Sequence, residues 1–161
     1  MIFAVLLSLA LVAQGQPVVF EKAVVIDGET LEIEGERIAI WGVDAPAPGQ
    51  TCTRDGETYD CGQEAADALA SFLADQNLRC TPKPDRRRQV VAHCAARYSE
   101  CFGTECKDRW RDITEELIAE GLGVQRRDET GGAYDADAET ARLGYGGIWA
   151  GEGWRGDQDA R

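Results

Sequence analysis

Basic residues are scarce in this chain: 17 lysines and arginines stand against 29 aspartates and glutamates, a formal net charge of −12 over 161 residues. A protein that held nucleic acid non-specifically would need the opposite balance, because that affinity comes from cations displacing counterions on phosphates. An acidic surface by itself accounts for solubility and little more. Histidine is scarcer still, with His93 alone, and no two cysteines are spaced C-x-x-C, which argues against structural zinc. No internal repeat or low-complexity segment occurs. Nor is any apolar run long enough for a bilayer: residues 2–13 fall short of the roughly 20 that a spanning helix needs. That run suits the apolar centre of a signal peptide, although no basic residue precedes it, and small Ala13 and Gly15 put cleavage before Gln16. The expected organisation is a leader at 1–15, one domain at 16–150, and a polar, disordered tail at 151–161.

Cysteine is well represented. Six in so short a chain are usual in oxidising compartments and rare in the cytosol, so the mature protein is expected to be secreted or periplasmic. Six cysteines allow fifteen pairings in principle. Their order favours local ones: Cys52 and Cys61 bracket a polar loop, Cys80 and Cys94 fall on neighbouring predicted strands, and Cys101 and Cys106 bracket four residues.

Apolar periodicity supplies the elements. Val24, Val25 and Ile26 run into Asp27-Gly28; Leu31 and Ile33 alternate with polar residues; Gly35 makes a second turn before Ile38 and Ile40. Period-2 apolarity punctuated by turn formers reads as a three-stranded meander. Residues 44–60 read as a loop. Ala65, Ala68, Leu69, Phe72 and Leu73 recur at helical spacing over 63–75. Two more strands are expected at 77–81 and 89–95. Asp112 with Glu115 forms a helix-start signature that Gly121 closes, and a third helix is expected over 133–143. The resulting fold class is α+β, mainly β: a five-stranded OB barrel with about three flanking helices.

Strand, D-G-E-T, strand, and a third strand closing on W-G-V-D-A-P resembles the opening of the thermonuclease family, and its secreted, disulfide-bearing branch above all. The likeness runs on through the helix from residue 61, an Asp-Arg loop at Asp85, E-E-L-I-A-E-G-L at 115–122 and G-I-W-A-G from Gly147. The resemblance implies the same OB fold, and bridges at Cys52–Cys61 and Cys80–Cys94; a Cys101–Cys106 bridge is an addition of this sequence. It also implies two arginines clamping a phosphate, a glutamate placing water, and calcium held by carboxylates and a carbonyl. The aligned clamp positions hold Ala39 and Gln89, and the glutamate position holds Ala47. Arg87 or Arg88 would substitute for the second arginine only by a register shift, and a strand residue moved by one faces the other side. The metal positions hold Glu29, Asp44 and Ala45, where Glu for Asp sets a carboxylate one methylene too far and leaves at most weak calcium binding. Arg86, Arg87, Arg88, Arg126 and Arg127 are the candidate nucleic-acid contacts, or else solvated loop arginines paired with nearby carboxylates. The tyrosines that the family places after its second helix, where they stack on a base, give way here to Val124-Gln125-Arg126-Arg127. The expectation is an exported, monomeric, thermonuclease-like domain without catalysis, acting as a binding or structural module for an unidentified partner. A weak calcium-dependent nuclease is the alternative, and an acidic surface docking a basic protein is a third idea.

Overall fold

The computed structural model describes residues 16–84 and 89–152. The expected leader, the arginines at 86–88 and the tail from residue 153 lie outside them. The fold is α+β, with more strand than helix.

The strands are β1 Val18–Phe20, β2 Val24–Val25, β3 Thr30–Ile33, β4 Glu36–Ile40, β5 Val43–Asp44, β6 Thr51–Arg54, β7 Glu57–Asp60, β8 Leu78–Lys83, β9 Val91–Phe102, β10 Glu105–Asp112 and β11 Val124–Gln125. The helices are α1 Cys61–Leu73, α2 Ile113–Ala119, α3 Arg127–Thr130 and α4 Asp135–Leu143, followed by a 3₁₀ turn at Gly147–Ala150. The main sheet is mixed and runs β1-β8-β9-β4-β3-β2, with β10 added to β9. Its one parallel pairing joins β4 to β9, Ala39 opposite Val91. β1 and β2 stand at opposite ends of this order, although only residues 21–23 separate them.

The meander forms as the periodicity predicts. Leu31, Ile33, Ile38 and Ile40 face inward, and the β3–β4 turn uses Glu34 and Gly35 at φ 54° and 82°, both positive as a two-residue type I′ hairpin requires. Leu78 and Cys80 of β8, Ala92, Cys94 and Ala96 of β9, Leu69 and Leu73 of α1, and Ile113, Leu117 and Ile118 of α2 complete the core. Asp60 caps α1 by accepting a 2.8 Å bond from Gln63 N.

Three expectations need correction. The loop at 44–60 contains a hairpin, β6–β7, turning on Asp55-Gly56 at φ 55° and 83°. The strand expected at 89–95 runs to Phe102 and returns as β10, so a two-stranded arm projects past the last core rung at Ala96. α4 begins at Asp135, two residues after the expected start, and the short α3 precedes it.

All six cysteines pair locally, Cys52–Cys61, Cys80–Cys94 and Cys101–Cys106. The second and third link directly opposed residues, one pair across β8–β9 and the other across β9–β10. Three bridges fit an extracellular or periplasmic environment. Among the described residues no helix is long and apolar enough to cross a membrane.

Candidate functional site

The Asp-Gly turn before β3 carries the first carboxylate. Asp27 Oδ1 accepts from Glu29 N at 3.0 Å, and Gly28 packs so tightly that a Cβ there would lie 2.9 Å from those of Ala45 and Ala65. Glu29 is thereby aimed at the end of β5, where its Oε2 accepts from Ala45 N at 3.1 Å. Asp44 lies on β5, opposite Val124 of β11. Glu29 and Asp44, assigned to calcium by the family resemblance, are indeed brought together.

Between them sits Arg126. The chain leaves β11, donates Arg126 N to Gly42 O at 2.9 Å, and the side chain folds back over β5. Its Nε donates to Val43 O at 2.8 Å, and Nη2 donates to Asp44 Oδ1 at 2.9 Å and to Glu29 Oε2 and Oε1 at 3.1 and 3.3 Å. Only 18% of the Arg126 side chain is exposed, against 28% of Glu29 and 14% of Asp44. Burial is the largest influence on Glu29 and pushes its carboxyl above the usual range, outweighing the pull of Arg126 and of the Ala45 N–H. Burial works against the charge of Arg126 too, but Glu29 and Asp44 more than restore it and hold the guanidinium above its ordinary value.

This donor set does not fit calcium. Calcium takes six to eight oxygens, whereas two carboxylates here already share a fixed cation that would repel a divalent ion. Among the described residues no group of three or more His, Cys, Asp or Glu side chains is arranged for any metal. Arg126, by sequence a candidate nucleic-acid contact or a loop arginine paired with nearby carboxylates, is turned inward by the fold and pairs with carboxylates distant in sequence.

The remaining sequence candidates are dispersed. Ala39 is a rung of β4 whose N–H bonds Val90 O at 2.9 Å. Ala47 N donates to Gln50 Oε1 at 2.6 Å on the surface, and Gln89 is exposed. Arg127 is 62% exposed and pairs with Asp135 at 2.7 Å. Arg86, Arg87 and Arg88 fall outside the described residues.

One constellation was not anticipated. His93 Nε2 lies 2.8 Å from Asp112 Oδ2, and the Tyr134 hydroxyl donates to the same oxygen at 2.7 Å. Thr114 N donates to Asp112 Oδ1 at 2.9 Å, which is the α2 cap that the sequence predicts. Burial raises the Asp112 carboxyl, yet the bonds from His93 and Tyr134 prevail and hold it below the usual range. Tyr134 is driven upward by burial and by Asp112. The rings of Trp41 and His93 meet edge to face at 5.7 Å. The one signal in the sequence is that His93 is the chain's lone histidine; its nearness to the Asp112 cap comes only from the β9–β10 pairing.

No protein-family model matches the chain. It is 38% identical over 133 residues to the succinoglycan biosynthesis protein ExoI of Rhizobium meliloti (strain 1021). The match takes in 80% of this chain and 63% of that protein, so the chain spans less than two thirds of its relative's length.

Proposed function

We propose that the chain is an exported, thermonuclease-like domain on a five-stranded OB barrel, that it does not cleave phosphodiesters, and that it works by binding. The observation that carries the reading is Arg126 between Glu29 and Asp44. A metal at that position would polarise a phosphoryl group. A guanidinium there offsets charge on the same carboxylates permanently and offers no exchangeable coordination sites. Ala39 and Gln89 stand where the resemblance implies the clamp arginines, and Ala47 where it implies the glutamate.

The sheet order supports the barrel. Residues 21–23 let Phe20 and Val24 lie at most about 14 Å apart, whereas the edges of a flat six-stranded sheet would be about 24 Å apart. The sheet therefore curls, and β1 and β2 act as two halves of one bent strand pairing β8 at one end and β3 at the other. With β3, β4, β8 and β9 that makes five. Likeness to a succinoglycan biosynthesis protein favours a role beside polysaccharide assembly over one in nucleic-acid turnover.

The test is cleavage of single-stranded DNA, double-stranded DNA and RNA by purified protein, in calcium and in chelator. One arginine on a transferring phosphoryl group is worth about 10³ to 10⁵ in rate, so no product above buffer is expected in either condition. Calcium-dependent product that persists through repurification would overturn the proposal.

A further inference from the structure

We infer that the outer face of β8, β9 and β10 is a docking surface for an acidic polysaccharide, gripped by Arg79 and Lys83; the inference rests on the proposal that this domain works by binding. The register defines the face. Arg79, Thr81 and Lys83 alternate on β8, opposite Ala95, His93 and Val91 of β9, and Asp112, Trp110 and Asp108 of β10 stand opposite Ala95, Arg97 and Ser99. Directly opposed residues share a side of the sheet, and the other side carries the core residues Leu78, Cys80, Cys94 and Ala96.

Both cations are held against tryptophans. The Arg79 guanidinium crosses small Ala95 to lie 4.7 Å from the Trp110 ring, and Lys83 Nζ lies 4.8 Å from the ring of Trp41. Among the described residues neither has a carboxylate within salt-bridge distance, in a chain of net charge −12. The acidic residues on this face are already engaged: Asp108 with Arg97 and Ser99, and Asp112 with His93 and Tyr134. Stacking on a ring fixes a guanidinium while leaving its in-plane N–H donors available for bidentate recognition of a carboxylate. Among the described residues the unmet charge on this surface is therefore positive and preorganised.

Charge spacing selects the ligand. Arg79 and Lys83 are four residues apart on one strand, about 13 Å, with the Thr81 hydroxyl between them and His93 opposite it. Each strand of duplex DNA sets a phosphate every 3.4 Å or so along the helix axis, far more densely than these two cations, and the acidic body would repel most of them. The cations also cover the indole faces on which bases would stack. A glycan with carboxylates on only some of its sugars matches widely spaced cations, and its hydroxyls match Thr81 and His93.

The experiment is affinity electrophoresis of the whole protein through gels containing hyaluronate, carboxyl-reduced hyaluronate or poly-dT, at low and moderate salt. Retardation by hyaluronate is expected, with loss of about tenfold in affinity in Arg79→Gln/Lys83→Gln, whose side chains, exposed and half-buried, lie on the face opposite the core. Arg37→Gln/Lys107→Gln makes the same charge change elsewhere and should bind like the parent. No retardation by hyaluronate, equal loss in both double variants, equal retardation by the carboxyl-reduced polymer, or stronger retardation by poly-dT would each overturn the inference. Nuclease activity in the same preparation would defeat the underlying proposal instead, whatever the gels show.

Discussion

Arg126 is the side chain on which two others, Glu29 and Asp44, depend. Removing one member of a buried ion pair costs about 3 to 5 kcal/mol, because the partner charge stays buried without compensation. Arg126→Met keeps the bulk of the side chain and leaves Glu29 and Asp44 facing each other, so urea unfolding should show a loss of about that size. Calcium should then restore part of it, roughly 1.4 kcal/mol at tenfold excess over Kd, and should leave the parent unmoved. Equal stabilisation of parent and variant by calcium would sink the account. Asp112 supplies the pH dependence. Its folded pKa lies below the unfolded one, so its contribution is complete above about pH 4 and disappears as pH falls through the folded value. Thermal melts of Asp112→Asn should run below the parent at neutral pH and converge with it in acid. A gap that stays constant down to pH 2 would show that the bonds from His93 and Tyr134 do not act through charge.

Among the elements, the arm of β9 and β10 is the piece least tied to the body. Its rungs beyond Arg97 and Trp110 are held by exposed pairs such as Arg109–Glu100 at 3.2 Å, and Phe102 at its tip is 74% exposed. Its bridge closes a short loop outside the core, whereas Cys80 and Cys94 are 3% and 0% exposed within it. Cys101→Ser/Cys106→Ser should therefore change the global melting temperature little while speeding amide exchange over 99–108. Exchange that stays slow there would mean that the strand pairing alone holds the arm. The arm is not legible in the sequence because its outer half lacks apolar alternation: no core selects its register, and cross-strand pairs with the Cys101–Cys106 bridge maintain it. The β6–β7 hairpin was more legible than the reading allowed, since Asp55-Gly56 is a type I′ signal between Thr-rich runs. The meander, α1 and the α2 cap were legible because each couples a periodic apolar face to a turn or cap residue.

At the scale of the whole molecule, the α+β class with its excess of strand and the three bridges could be read from the chain, and the candidate site only in part. Glu29 and Asp44 are marked by turn motifs 15 residues apart. Arg126 is a long-range partner, and nothing local distinguishes it from Arg127, which points outward one residue later. His93 and Tyr134 likewise meet only through Asp112.

The placement of β1 also governs the order of assembly. Val18 pairs with Cys80, which in turn faces Cys94, so one rung joins the start of the sheet to strands made about sixty residues later. At about 5 to 20 residues per second, synthesis needs several seconds to supply that partner. Until Cys80 and Cys94 are joined and β8 is aligned on β9, the edge of β8 that receives β1 is open, and an open edge is a template for another chain. The supply of oxidant to the nascent protein thus bears on its solubility as well as on its final stability.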